Sequence, residues 1–242
     1  MSESIRATAT TVLITGANKG LGHETARRLG ELGWRVFLGA RDEVRGREAA
    51  ERLAAGGADV TFVPLDVTSD DSVTAAVETI RDTTDHLDVL INNAGVTGEL
   101  IGPEDTLPQH LIPVFRVNVL GPVRVTHAFL PLLRAGHDPR VVMVSSSAGS
   151  QAVTADGERK DAFPQMMYPA SKAALNMITT QYARGIPEVR FNMADPGFTA
   201  TDLNRNQGTQ TVTEGTDAIV EFATTSPGPT GQYRDRDGAL PW

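Results

Sequence analysis

Thr11-Val12-Leu13-Ile14-Thr15-Gly16-Ala17-Asn18-Lys19-Gly20-Leu21-Gly22 decides how the rest of the chain is read. Residues 11–14 are apolar or β-branched and bounded by polar and glycine positions, as a buried strand requires. Glycines follow at 16, 20 and 22, and then Glu24 to Leu32 repeats Ala26, Leu29 and Leu32 at helical spacing. A strand that turns through glycine into a helix aims free N–H groups and the positive end of the helix dipole at one place. Without side chains at Gly16, Gly20 and Gly22, the backbone can turn tightly and approach a pyrophosphate there. The spacing is G-x-x-x-G-x-G, which differs from the commoner G-x-G-x-x-G fingerprint. Its position between a first strand and a first helix is what points to a dinucleotide.

Outward from this turn the pattern repeats. Arg35 to Leu38 reads as a second strand and Asp42 to Ala55 as a second helix capped by Asp42. Val60 to Pro64 is a third strand. Ser69 to Thr84 is a third helix, where Asp70 and Asp71 are explained by capping. Val89 to Ile91, Arg140 to Val144 and Val189 to Met193 are further strands; Val114 to Leu133 and Tyr168 to Tyr182 are further helices. Strand followed by helix, repeated, predicts an α/β fold: a Rossmann-type doubly wound parallel sheet with helices on both faces, as a single domain over 1–242. Ligands are expected at the carboxyl ends of the strands. Two stretches break the rhythm there, 149–167 and 198–214, and are expected to be substrate loops, the second a mobile flap. Within the first, Asp156, Glu158, Arg159, Lys160 and Asp161 read as a solvated loop.

Bulk composition narrows the function classes. Lys plus Arg is 22 against 30 for Asp plus Glu, a net charge of −8 without a basic run, which argues against nucleic acid or an anionic membrane as partner. No segment approaches the length of a membrane-spanning helix. Cysteine is absent, so thiolate chemistry and disulfides are excluded. Met1 to Thr11 lacks the apolar core of a signal peptide, and a cytoplasmic location is expected. The five histidines, at 23, 86, 110, 127 and 137, show no ligand spacing, and no metal is expected. Trp34 reads as packing; Trp242 is either a frayed end or packed back near a substrate pocket.

At the end of the second strand many dinucleotide folds place an acid for the ribose 2′-hydroxyl. Here Gly39-Ala40-Arg41 offers a guanidinium, which suits a 2′-phosphate, and Lys19 adds a second cation; Asp42 remains within reach of a ribose hydroxyl. NADP(H) is therefore expected over NAD(H). At the other end of the sheet, Tyr168-Pro169-Ala170-Ser171-Lys172 places a phenol and an ammonium four residues apart on one helical face. A cation beside a phenol lowers its pKa from about 10 towards working pH, as a general acid/base needs. Alone the pair is weak; its weight comes from Ser145-Ser146-Ser147 after the fifth strand and Asn92-Asn93-Ala94-Gly95 after the fourth.

Together with Asp66-Val67, Asn118 and Pro196-Gly197, these residues resemble the short-chain dehydrogenase/reductase family in its compact single-domain branch, over nearly the whole chain. The resemblance implies that Tyr168 is the proton donor to a carbonyl oxygen. Lys172 would tune that phenol and hold the nicotinamide ribose, and Ser146 would orient and polarise the carbonyl. Asn118 would bind a water linking Lys172 to solvent. The family pattern selects Ser146 among the three serines, as the hydroxyl three residues before Gly149. It also implies cofactor contacts from the Gly16, Asn18, Lys19, Gly20, Leu21 and Gly22 loop. Asp66 and Val67 would meet the adenine, and Asn93, Ala94 and Gly95 would line the adenosine half. Pro196 and Gly197, with Thr199 and Thr201, would form a lip over the carboxamide and phosphates. Asn18-Lys19 with Gly39-Ala40-Arg41 looks like the NADPH-using carbonyl reductase branch. Ser146 and Tyr168 lie 22 positions apart, more than is usual in the compact branch. That insertion is similar to a shorter form of one in monomeric carbonyl reductases, so the oligomeric state is left between monomer and homo-oligomer.

The expected function is reversible reduction of a small ketone or aldehyde, with hydride from NADPH and a proton from Tyr168. A cofactor-sensing regulator without catalysis is the alternative, but it has no need of Ser146, Tyr168, Lys172 and Asn118 together. A lyase or epimerase on the same fold would need a larger substrate domain than the residues after the sixth strand provide.

Overall fold

The computed structural model describes residues 9–155 and 165–242. The charged group from Asp156 to Asp161 falls outside them. Seven strands form one parallel sheet in the order β3-β2-β1-β4-β5-β6-β7. They are β1 (Thr11–Thr15), β2 (Arg35–Ala40), β3 (Val60–Pro64), β4 (Val89–Asn92), β5 (Arg140–Val144), β6 (Arg190–Ala194) and β7 (Tyr233–Arg234). The order reverses between β1 and β4, which is where a doubly wound sheet opens its ligand crevice.

Strand alternation sorts the core into two layers. Leu13 and Phe37 face one way, against α3 (Asp70–Arg81), α5 (Gly121–Arg134) and α7 (Met167–Gly185), with Ile80, Phe129 and Leu175 buried between. Val12, Ile14, Val36 and Leu38 face the other, against α1 (Gly20–Glu31), α2 (Glu43–Ala55) and α9 (Asp217–Thr224). Truncating a fully buried member such as Phe129 to alanine costs about 3–5 kcal/mol.

The structure departs from the sequence expectations in five places. The helix expected over 114–133 begins earlier and is interrupted: α4 (Pro108–Phe115) passes into a π-helical segment, Arg116–Leu120, before α5. Within the π segment the Gly121 N–H reaches back five residues to the Arg116 carbonyl. Pro122 is the cause to look for, because it lacks the N–H that an α-helix would aim at the Asn118 carbonyl. The cap of α3 is Ser69, whose hydroxyl accepts from the Ser72 N–H at 3.2 Å; Asp70 lies in the first turn and pairs with Arg124. Asp42 does cap α2, accepting from the Arg45 N–H at 3.0 Å.

The described part of 149–167 includes a short helix, α6 (Gln151–Ala155). The stretch 198–214 folds back on itself through a Thr199–Gln210 bridge and a 3-10 turn at Asp202–Asn204. It then enters α8 (Val212–Gly215), capped by Thr211 and Glu214. Finally, α9 and the two-residue β7 extend the fold after β6, where the sequence pattern was too short to read. Trp34 packs under the Arg140 guanidinium, 5.6 Å from its ring. Trp242 packs back: its carbonyl accepts from the Ala152 N–H at 2.8 Å and its indole lies 5.6 Å from the Tyr233 ring.

Candidate active site

Gly16 carries φ +63°, and a Cβ there would stand 2.9 Å from the Ala94 Cα, so only glycine allows the β1–α1 turn to lie against the end of β4. Gly22 is excluded from a side chain by packing instead: its Cβ would fall 2.5 Å from Asn93 Nδ2 and 2.8 Å from the Gly16 carbonyl oxygen. Asn93 is the brace. Its amide nitrogen donates to the carbonyls of Thr15 at 2.8 Å and Gly16 at 3.1 Å, and its backbone N–H donates to the Thr15 hydroxyl at 3.0 Å. The α1 N-terminus itself has no side-chain cap and no acid in its first turn, whereas α2 and α3 are capped by their own side chains. Its first N–H groups are left for an anion.

This turn forms one wall of a cleft of about 850 Å³. Among the residues expected to hold a cofactor, Gly16, Asn18, Lys19, Gly20, Leu21, Arg41, Asp66, Val67, Asn93, Ala94, Gly95 and Thr201 line it. Gly22, Tyr168, Lys172, Pro196, Gly197 and Thr199 are not part of its lining. Thr199 is buried, and its hydroxyl donates to the Pro196 carbonyl at 2.7 Å. Asp66 accepts from the Thr68 N–H at 2.9 Å and the Thr68 hydroxyl at 2.8 Å. Burial raises its pKa, but these bonds and the charges of Arg41 and Arg116 outweigh that and hold it below the usual carboxylate range.

The cation pair expected from Lys19 and Arg41 is rearranged. Lys19 Nζ reaches across the mouth of the cleft to Asp202 at 2.8 Å, so its charge is engaged by the 198–214 excursion. Arg45, overlooked in the sequence, lines the cleft beside Arg41. Its signal was available: with Asp42 as cap, Arg45 falls in the first turn of α2, where side chains lean towards the helix N-terminus. Asp202 carried no such signal.

At the carboxyl end of β5 the three serines take different work. Ser145 is buried and its hydroxyl donates to Asn176 Oδ1. The Ser147 N–H donates to Asp195 Oδ2 at 2.9 Å. Ser146 caps the 3-10 turn Ser147–Gly149, accepting from the Ala148 N–H at 3.2 Å, which leaves its own proton to donate elsewhere. That turn is pressed onto α7: a Cβ on Gly149 would meet the Lys172 carbonyl carbon at 2.6 Å and the Ala173 nitrogen at 2.7 Å. The backbone contact brings the Ser146 turn and the Tyr168–Lys172 helix together.

Lys172 is 4% exposed, donates to the Val144 carbonyl at 2.8 Å and sits 5.5 Å from the centre of the Tyr168 ring. Burial pulls its ammonium down to a pKa of about 8, against the opposing charge of Asp195. Asn118, at the centre of the π segment, exchanges two bonds with the Val96 backbone at 2.9 and 2.8 Å and donates to the Ser171 hydroxyl at 3.0 Å. A Cβ on Gly95 would lie 3.5 Å from Asn118 Oδ1 and 3.8 Å from Lys172 Nζ, so the two groups share one spot behind that glycine. Among the described residues no group of three His, Asp or Glu side chains is placed to hold a metal, and no helix is long and apolar enough to cross a membrane.

Comparison with known proteins gives the family and the fold. The family model for short chain dehydrogenases matches residues 10–211. A short-chain dehydrogenase, anuI, of Penicillium roqueforti is 35% identical, with 88% of each chain covered. A (+)-neomenthol dehydrogenase of Arabidopsis thaliana is 32% identical, covering 87% of this chain and 90% of its own. Among solved structures, an NADPH-bound carbonyl reductase from chicken fatty liver superimposes with a TM-score of 0.86 at 27% identity, covering 98% of this chain and all of that one.

Proposed function

This chain belongs to the short-chain dehydrogenase family and is an oxidoreductase, and we propose that it uses NADPH to reduce a ketone or aldehyde to an alcohol, reversibly. The observation that carries the reading is the buried Lys172 ammonium, fixed on the Val144 carbonyl and 5.5 Å from the Tyr168 ring. Burying a charge is expensive, and one beside a phenol is the arrangement that stabilises phenolate and so makes tyrosine a competent proton donor.

The cleft suits the cofactor on its own terms. A glycine turn with room for no side chain at Gly16 or Gly22 faces uncapped N–H groups of α1, a cradle for a pyrophosphate. Arg41 and Arg45 would hold a 2′-phosphate, with Lys19 available once it leaves Asp202. Asp66 and Val67 would meet the adenine, Asn93 to Gly95 the adenosine half, and Lys172 the nicotinamide ribose. Bound NADPH supplies the hydride.

The chain's own residues supply the rest. Tyr168 gives its proton to the carbonyl oxygen, and Ser146, whose hydroxyl proton is not spent on Ala148, polarises the same oxygen. Lys172 keeps the phenol acidic. The π segment contributes the Asn118 carbonyl, which Pro122 leaves without its helical donor and which can hold a water leading from Lys172 to solvent. Relatives named as reductases support the reductive direction: they include a (−)-isopiperitenone reductase of Mentha piperita and a salutaridine reductase of Papaver somniferum.

The test is to follow NADPH and NADH oxidation with a panel of ketones and aldehydes. Oxidation of NADPH with at least one carbonyl, abolished in Tyr168→Phe, is the expected result. A protein that binds NADPH but consumes it with none is a cofactor sensor, and the reductase reading falls.

A further inference from the structure

We infer that Asp195 is a positioning residue for this site: one buried carboxylate ties the Ser146 turn to the Pro196–Gly197 turn and sets a fixed negative charge beside Lys172. The inference rests on the reductase reading for its catalytic meaning, but its physical basis is separate.

Asp195 is the first residue after β6 and is 4% exposed. A carboxylate so placed is costly unless its oxygens are satisfied, so its partners show what it holds. Oδ1 accepts from the Gly197 N–H at 2.9 Å and Oδ2 from the Ser147 N–H at 2.9 Å. Its own N–H donates to the Arg234 carbonyl at 2.8 Å. One residue thereby fastens the ends of β5, β6 and β7. Ser147 adjoins Ser146, and Gly197, at φ +67°, forms the turn that enters the 198–214 excursion. Only a carboxylate accepts from both N–H groups at once; an asparagine would turn its NH₂ towards one of them.

The same residue is the counter-charge of Lys172. Lys172 Nζ is held on the Val144 carbonyl, and Val144 pairs with Ala194 in the β5–β6 register, one residue before Asp195. The Ser145 N–H bridges to the Ala194 carbonyl at 2.7 Å, so the two strand ends lie side by side at this level. Among the described residues, Asp195 makes no ion pair within 4.0 Å of an arginine or lysine, which leaves its charge to act through space.

Among the described residues, the ionisable groups around Lys172 are few. Asp195 faces it from β6 and Tyr168 from its own helix; Tyr233 of β7 lies beyond Asp195, with its hydroxyl pushed up by burial and by that carboxylate. The π segment brings neutral Asn118, the β5 turn brings serine hydroxyls, and α4 turns Val114 towards α7. Burial opposes the ammonium, and among the described residues the charge of Asp195 favours it.

The chain has three lysines, Lys19, Lys160 and Lys172, so lysine labelled with ¹³C at Cε gives three resonances to titrate by NMR. Lys172→Met identifies the buried one. In the wild type that resonance should titrate well below the ordinary lysine range; in Asp195→Asn it should move lower again, by about one pH unit. With a carbonyl substrate, the alkaline limb of kcat for reduction should shift down in pH in the same variant. Loss of a purely structural tie would lower the rate without moving either titration. If Asp195→Asn does not fold, Asp195→Ser, smaller and equally neutral, takes its place in the same measurement. A Lys172 titration that matches the wild type overturns the inference. Should the wild type reduce no carbonyl at all, the reductase reading fails while the Lys172 titration still decides the role of Asp195.

Discussion

At the glycine turn the backbone does the shaping, and around Tyr168 and Lys172 side chains do. Gly16 and Gly22 work by what they lack, and Asn93 braces their carbonyls from β4. The cations around that cradle, Lys19, Arg41 and Arg45, are solvent-facing. Across the switch point Lys172, Asn118 and Asp195 are each nearly fully buried, and each has its polar atoms committed to named partners. An exposed charge contributes little and is screened by salt; a buried one is expensive to strand and hard to replace. The first end should therefore be tunable, and the second brittle.

The largest effect belongs to the brittle end. Tyr168→Phe should lower NADPH-dependent carbonyl reduction by about 10²–10⁴-fold, the range for loss of a general acid, with the melting temperature and NADPH affinity nearly unchanged. A variant that keeps a tenth of its rate would place the proton donor elsewhere. Next comes Gly22→Ala, where overpacking against Asn93 and Gly16 costs about 1–3 kcal/mol. A calorimetric melt should fall and NADPH titration weaken together; an unchanged affinity would break the claim that this turn is shaped by excluded side chains.

Arg41→Asp tests tunability directly. The KM for NADPH should rise about tenfold or more, the size of a lost charge-assisted bond, while that for NADH holds or falls. The smallest effect is expected from Asp202→Asn, which frees Lys19 from its exposed partner. NADPH should bind about two- to fivefold more tightly at low ionic strength, and the gain should shrink as salt is added. A gain independent of salt would mean that Asp202 acts through the shape of the 198–214 excursion and not through its charge.

The same contrast explains what the sequence could show. Glycines between a strand and a helix, and Tyr168 four residues from Lys172, are local patterns, and both fall where the pattern places them. Arg45 was legible from the Asp42 cap, one turn on. Asp202 and Asp195 were not, because each acquires its role from a contact made far along the chain: Lys19 for the first, Ser147 for the second. The π segment was half legible. Pro122 marks a missing helical bond, but only the packed α4–α5 run shows that the helix continues around the defect and does not end there. β7 is two residues long, below any periodicity, and exists because β6 offers it an edge.

The press of Gly149 against the α7 backbone has an evolutionary and engineering corollary. It closes a knot between the Ser146 turn and Lys172: the chain leaves that knot after Gly149 and returns to α7 at Met167. Lengthening a loop adds only about 0.6 kcal/mol of closure entropy per doubling. An insertion, deletion or graft between those two points should therefore leave the spacing of the hydroxyl and the ammonium unchanged.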